Sequence, residues 1–435
     1  MKNLKWKKVG SAVLATALAG SMVLPATAYA QGEIVQLEGG TSTQTNTAPE
    51  QVFLNKYSGT VRTQNFNDNW KFYLGDASGA QTPAFDDSSW DQVNLPHDYS
   101  IDQKYNRSMD GESGYLPGGT GWYRKSFTVD KSLEGKRISI DFGGVYMNAT
   151  IYVNGKKLGT HPYGYTPFSF DITDNVKFGK ENVIAVKVDH QTPSSRFYSG
   201  SGIYRDVDFV VTDTVHVDKN GTKIETPDLK EHVDGNNVAV KVKTTVVNES
   251  ERDASVKVKH TIYPKNGTAE QAVATFESQE AVAVEKGKSK DVSADFTASG
   301  VQLWSTTTPN LYTVKTEVLM DGATVDTYET DYGFRYFAFD KNNGFTLNGQ
   351  KMKLQGVCMH HDQGALGSVA NDRSTERQVE ILKMMGCNSI RVTHNPASDE
   401  LIDACNKHGI LVIDEAFDGW VAPKNGNSND YAKWF

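Results

Sequence analysis

Long stretches of the chain alternate apolar and polar residues with a period of two, the pattern of strands that bury one face. Ile138, Ile140 and Phe142 are separated by polar residues, and Ile184, Val186 and Val188 recur at the same spacing. Between them Ala149 to Val153 predicts a strand, and Asn154-Gly155 supplies the residue pair favoured by a type I′ hairpin turn. Turn signals recur and no helical spacing interrupts them, so residues 55–214 predict a jelly-roll β-sandwich. A second all-β stretch covers 215–335. There Val238, Val240 and Val242 share a face, as do Val256 and Val258, and Val314, Thr316 and Val318 alternate toward an Asp321-Gly322 turn. Its strand spacing suits an immunoglobulin-like β-sandwich without the paired Cys of antibody domains.

Past Tyr336 the period changes, and residues 336–435 read differently. Asn348-Gly349 marks a hairpin ahead of a strand from Lys353 to Val357. A helix follows from Ser374 to Met385, with Val379, Leu382 and Met385 on one face and Gly386 as its stop. Next come a strand from Ser389 to Val392, a helix capped by Ser398 and ended by Gly409, and a strand from Ile410 to Asp414. The order β-α-β-α-β with short links implies parallel strands. Three such strands make either a small doubly wound sheet or the first part of a (β/α)8 TIM barrel.

A chain of 435 residues suggests about three domains. The formal net charge of −8 disfavours a nucleic-acid partner. Aromatic residues reach 10%, which suits sheet cores and also sugar binding, since the apolar face of a pyranose packs on a ring. Lys2, Lys5, Lys7 and Lys8, the uncharged run Val9 to Leu24 and Ala28-Tyr29-Ala30 have the form of a cleaved signal peptide, residues 1–30. The expectation is a secreted or cell-surface protein with no stable membrane insertion after cleavage. Residues 31–54, rich in Thr, Gln, Asn and Ser from Gly39 to Gln51, read as a flexible linker. Cys358, Cys387 and Cys405 fit no metal spacing and are expected to be buried free thiols.

Each predicted parallel strand runs into polar residues. The first leads to His360, His361 and Asp362. The second carries Arg391 and leads to His394, Asn395 and Pro396. The third ends in Asp414 and Glu415, with Asp418 and Trp420 beyond. The C-terminal strand ends of parallel α/β folds form the active face, so the clusters should meet on one rim. Imidazole and amide groups can bind sugar hydroxyls as donor or acceptor, and an arginine can lock a nearby carboxylate. Adjacent His360 and His361 are poorly spaced for a metal, and neither a metal nor a cofactor is expected.

Gly356-Val357-Cys358-Met359-His360-His361-Asp362, Ile390-Arg391-Val392-Thr393-His394-Asn395-Pro396 and Val412-Ile413-Asp414-Glu415-Ala416-Phe417-Asp418 resemble successive barrel-strand motifs of glycoside hydrolase family two. Asn94-Leu95-Pro96-His97-Asp98, Gly121-Trp122-Tyr123-Arg124 and Ser201-Gly202-Ile203-Tyr204-Arg205-Asp206-Val207 resemble its sugar-binding jelly roll. The resemblance runs from about residue 57 onward, and the Cys-Met-His-His-Asp and Glu-Ala-Phe-Asp-Gly-Trp versions look most like the β-galactosidase branch. It implies hydrolysis of terminal β-galactosides with retention. It also implies substrate contacts from His360, His394 and Asn395, with Arg391, Asp414 and Glu415 as supports. The magnesium motif of some members is replaced here by Gly419, Trp420 and Val421.

Retention needs two carboxyls about 5–5.5 Å apart. The family's acid/base Glu lies in an Asn-Glu pair after a fourth strand, and this chain's one Asn-Glu pair, Asn248-Glu249, falls in the second sandwich. Neither catalytic carboxylate is therefore expected here, and the chain reads as the N-terminal part of a larger enzyme. β-Glucuronidase and β-mannosidase activities remain open on the same scaffold, as does a non-catalytic glycan-binding module. Oligomeric state is not legible.

Overall fold

The computed structural model describes residues 52–53 and 61–418. The expected signal peptide, nearly all of the expected linker and the Gly419–Val421 stretch lie outside the described residues.

The first sandwich packs two sheets over one core, antiparallel except where Val52–Phe53 pairs in parallel with Gly119–Val129. Gly119–Val129 and Glu181–His190 are the central strands of the larger sheet, flanked by Trp70–Leu74 and Ala149–Val153. Phe168–Asp171, Arg137–Phe142, Val207–Thr212 and Thr63–Asn65 form the smaller one, in that order. Phe66, Trp70, Phe127, Ile138, Ile140, Ile151, Val186 and Phe209 fill the space between them, all fully buried. Asn154 and Gly155 both have positive φ, as the type I′ turn requires. The alternation of Ile184, Val186 and Val188 suggests a half-buried strand, yet Ala185 on its other face is also buried. Trp90 and Trp122 pack there with Ala80, forming a second small core outside the sheet.

The second sandwich sets Val215–Glu225, Val238–Asn248 and Lys288–Ala298 against a sheet centred on Ala254–Pro264 and Tyr312–Met320. Val240, Val242, Ile262 and Val314 share one core cluster, and Val246, Val256, Val258 and Val318 another. The inward Val positions are those marked by alternation.

Beyond it, Gly356–Met359, Ser389–Val392 and Leu411–Ile413 form a parallel sheet in chain order. Helix α1 (Asp372–Met384) is capped by Asn371, whose side chain accepts from the amides of Arg373 and Ser374. Helix α2 (Asp399–His408) is capped by Ser398 and stops at Gly409 with φ 70°. Val379, Leu401, Ala404 and Cys405 from the helices pack on Ile390, Val392 and Val412 from the strands. The opposite sheet face carries Cys358, Arg391 and Ile413 in one cross-strand row, all exposed.

Four local expectations need correction. Helix α1 starts at Asp372 rather than Ser374, because Asn371 caps it. The first parallel strand starts at Gly356, not Lys353, because Asn388 takes over the pairing before it. Its side chain accepts from the Gln355 amide at 2.8 Å and donates to the Lys353 carbonyl at 2.9 Å. Met385 is exposed rather than on the packed face of α1, since the helix has already ended at Met384. Of the three free thiols only Cys405 is buried. Cys358 lies on the sheet face that the helices do not cover.

Candidate active site

Glu415 is the hub of the rim. Arg391, on the middle strand, points its Nε to Glu415 Oε1 at 2.6 Å, and its Nη2 reaches the same oxygen. His394 Nδ1 lies 2.6 Å from the other oxygen, Oε2. Burial is the largest single influence on the Glu415 carboxyl and pushes its pKa up. The bonds from His394 and Arg391 together outweigh burial, so the net shift is downward and the group is held ionised. An ionised carboxylate only accepts, so His394 donates through Nδ1. Its Nε2 has no hydrogen-bond partner among the described residues and is available to a ligand hydroxyl.

His360 faces the same space, with its ring centroid 6.1 Å from that of His394. His361 turns the other way. Its Nε2 donates to the Ser199 carbonyl at 3.1 Å, and the rings of Tyr165 and Tyr204 flank it. Burial pushes its pKa down to about 3, so it is neutral. Asp362 is exposed.

Asp414 and Asn395 sit differently from a substrate-facing pair. Asp414 Oδ1 accepts from the Ala397 amide at 3.0 Å and so braces the loop after the middle strand. Asn395 is buried, and its Oδ1 accepts from the Tyr163 hydroxyl at 2.5 Å and the Asp418 amide at 3.2 Å. Its carbonyl oxygen is thus committed to protein, which places Asn395 beneath the rim rather than on it. Arg391 is likewise spent on Glu415. The structure brings His360, His394, Arg391 and Glu415 together, and sets Asn395 and Asp414 behind them.

The first sandwich supplies part of this rim. The Phe197 ring lies 4.2 Å from His360 and 6.3 Å from His394, centroid to centroid. Arg196 donates from Nε to Asp418 Oδ2 at 3.0 Å and from Nη2 to Oδ1 at 2.5 Å, a two-pronged pair. Beneath them, buried Asp98 accepts from the amides of Ser100, Ser201 and Ser368, each at 2.9 Å, and from the Tyr198 hydroxyl at 2.5 Å. Gly200, with φ 68°, and Gly367, with φ 66°, close on this carboxylate so tightly that a Cβ on either would overlap it. Arg205 donates to the Pro396 carbonyl at 2.9 Å. Asp98 and Arg205 are visible as motif residues in the sequence, but Arg196 and Phe197 carry no periodic signal. Their one mark is that they lie a few residues before the Ser201–Val207 motif.

Groups of metal-type ligands within 4.8 Å of one another occur among the described residues at Glu376, Glu380 and His408, and at Asp206, Asp372 and Glu400. Neither includes His360, His394 or Glu415.

Comparison with known proteins places three consecutive domains along the chain. Residues 63–213 match the sugar binding domain of glycosyl hydrolases family 2, residues 222–335 the family 2 profile itself, and residues 340–431 its TIM barrel domain. The beta-galactosidase BoGH2A of Bacteroides ovatus is 43% identical over 373 residues, covering 85% of this chain and 42% of that protein. A beta-glucuronidase of Formosa agariphila is 30% identical over 374 residues, covering 81% of this chain and 38% of that protein. A crystal structure of a family 2 member from Bacteroides cellulosilyticus superposes with a TM-score of 0.80 at 38% identity, over 86% of this chain and 48% of that one. The chain therefore spans less than half the length of these relatives.

Proposed function

The chain belongs to glycosyl hydrolases family 2, and on that premise we propose that it forms the sandwich domains and first barrel segment of an exported retaining β-galactosidase. The 43% identity to a beta-galactosidase supports the choice of sugar, and the commitment of Arg391 and Arg196 agrees with it. Arg391 is paired with Glu415 and Arg196 with Asp418. A glucuronide would need a cation for its carboxylate, whereas a galactoside presents neutral hydroxyls to His360 and His394.

In this reading His394 offers Nε2 to the terminal sugar, with its ring fixed by Glu415, and His360 lies across from it. Arg391 keeps Glu415 ionised. Glu415 is then no proton donor, because a general acid needs a raised pKa, and Asp418 is held by Arg196. In this reading the acid/base and nucleophile are accordingly not among the described residues of the rim. The Asn248-Glu249 pair lies in the second sandwich, where Glu249 binds Arg137 at 3.0 Å.

Chromogenic β-galactoside, β-glucuronide and β-mannoside offered to the full-length protein test the reading. Galactoside should give the highest kcat/KM, by about tenfold or more, a difference of about 1.4 kcal/mol in transition-state stabilisation. A preference for glucuronide or mannoside overturns it. The 435-residue chain alone should turn over none of the three, and clear hydrolysis by it would place the carboxyl pair within this chain after all.

A further inference from the structure

Beside the rim, the sandwich loop 104–115 presents three large side chains to solvent, with Tyr115 also resting on Gly111. Tyr105 is 78% exposed and Tyr115 51% exposed, and with Arg107 they line an open recess of about 520 Å³. Neither tyrosine side chain makes a hydrogen bond or ring contact, and Arg107 makes no ion pair, among the described residues. Tyr115 also adopts φ 61°, a left-handed conformation unfavourable for a bulky side chain. The loop is otherwise well tied, with Asn106 N donating to Tyr115 O at 2.9 Å and Tyr115 N to Asp110 O at 3.1 Å. A well-braced loop that presents a disfavoured, exposed aromatic is the kind of local strain that accompanies binding sites.

The recess adjoins the rim. Gly114 packs on the edge of the Tyr198 ring, and Tyr105 lies close enough to influence the Tyr198 hydroxyl. Tyr198 is held by Asp98, and the next residue toward the N-terminus, Phe197, covers His360. An aromatic path thus leads from the histidines outward along the sandwich.

We propose that Tyr105, Arg107 and Tyr115 form a binding platform for a second sugar ring, the leaving-group portion of a neutral oligosaccharide whose terminal residue sits at His360 and His394. The tyrosine rings offer faces for a pyranose, and the Arg107 fork donates to its hydroxyls. The volume suits a ring or two, within the range of small-molecule sites. The proposal rests on the rim being the glycosidic site.

Calorimetric titration of the full chain with galactose, lactose and β-1,4-galactotriose tests it. The wild type should bind the trisaccharide more tightly than galactose. Tyr105→Ala and Tyr115→Gly should each lower the ratio of trisaccharide to galactose affinity by about tenfold, or 1.4 kcal/mol. Tyr115→Gly should at the same time keep or raise the thermal midpoint, since glycine accepts φ 61° without strain. A structural role for Tyr115 predicts the opposite, a lowered midpoint with an unchanged affinity ratio. An unchanged ratio in both variants, or a wild type with no preference for the trisaccharide, overturns the platform. If the variants lower the ratio but His394→Ala leaves galactose binding intact, the platform stands and the rim assignment fails.

Discussion

A single carboxylate organises the rim, and the consequence is a fixed imidazole. Because Arg391 holds Oε1 and His394 holds Oε2, both oxygens of Glu415 are anchored to protein groups. Its use is to select the Nδ1–H form of His394. Glu415→Gln keeps the shape but replaces one acceptor oxygen with a donor amide. In ¹⁵N-edited long-range NMR spectra of the imidazoles, the wild type should show His394 with Nδ1 protonated near neutral pH, and the Gln variant should show a mixed or reversed tautomer. An unchanged spectrum would mean that Glu415 does not set the ring. The sequence suggests an arginine that locks a nearby carboxylate, but not that Glu415 is the one, nor that His394 shares it. Asn395 shows the same limit. Its position after His394 resembles a ligand contact, but a partner 232 positions away, Tyr163, takes its carbonyl oxygen.

At the scale of elements, caps and period were the legible features. Ser398 and Gly409 delimit α2 as read from the sequence, because capping is decided by residues next to the helix. Helix α1 begins at Asp372, two residues before the expected Ser374. Its cap is Asn371, whose side chain accepts from the amides of Arg373 and Ser374. Asn371→Ala should therefore lower stability by about 1 kcal/mol, read as a shift in the urea midpoint at constant slope, whereas Ser374→Ala should cost less. Equal effects would contradict the cap assignment. The inward Val positions of the second sandwich were legible because one face of each strand is buried. The outer burial of Ala185 was not, since Trp90 arrives from a loop far away in the chain.

Across the whole molecule, burial lowers the pKa of six histidines among the described residues, most strongly for one in each part of the fold. Burial pushes the pKa of His190 down to about 4, that of His260 to about 4 and that of His361 to about 3. In the unfolded chain each would titrate near 6.5, as free histidine does. Above that pH neither state takes up these protons and stability is level. Below it the unfolded chain binds protons that the folded chain refuses, so each histidine removes about 1.4 kcal/mol per pH unit until its folded pKa is reached. Burial raises the Asp208 carboxyl to about 6 and the Glu400 carboxyl to about 7, which opposes this loss, but the histidine shifts are larger in sum and stability should still fall between pH 6.5 and 4. Urea unfolding at pH 7.5 and 5.0 checks this, and a His260→Gln variant should show a shallower loss. A flat profile over that range would contradict it. The overall order of sandwich, sandwich and parallel sheet was readable, because each fold class has its own period. The contribution of Arg196 and Phe197 to the rim was not, because period describes a strand and says nothing about which distant loop meets it.

The seating of Phe197 on His360 has a consequence for modularity. The border of the site does not follow the border between domains. A chimera that joined this barrel segment to another family member's sandwiches near residue 335 would exchange one wall of its own site, and with it Arg196 and Phe197. Sugar preference in such recombinants should therefore travel partly with the sandwich. Grafting residues 194–198 offers a way to retune the rim without altering a barrel strand.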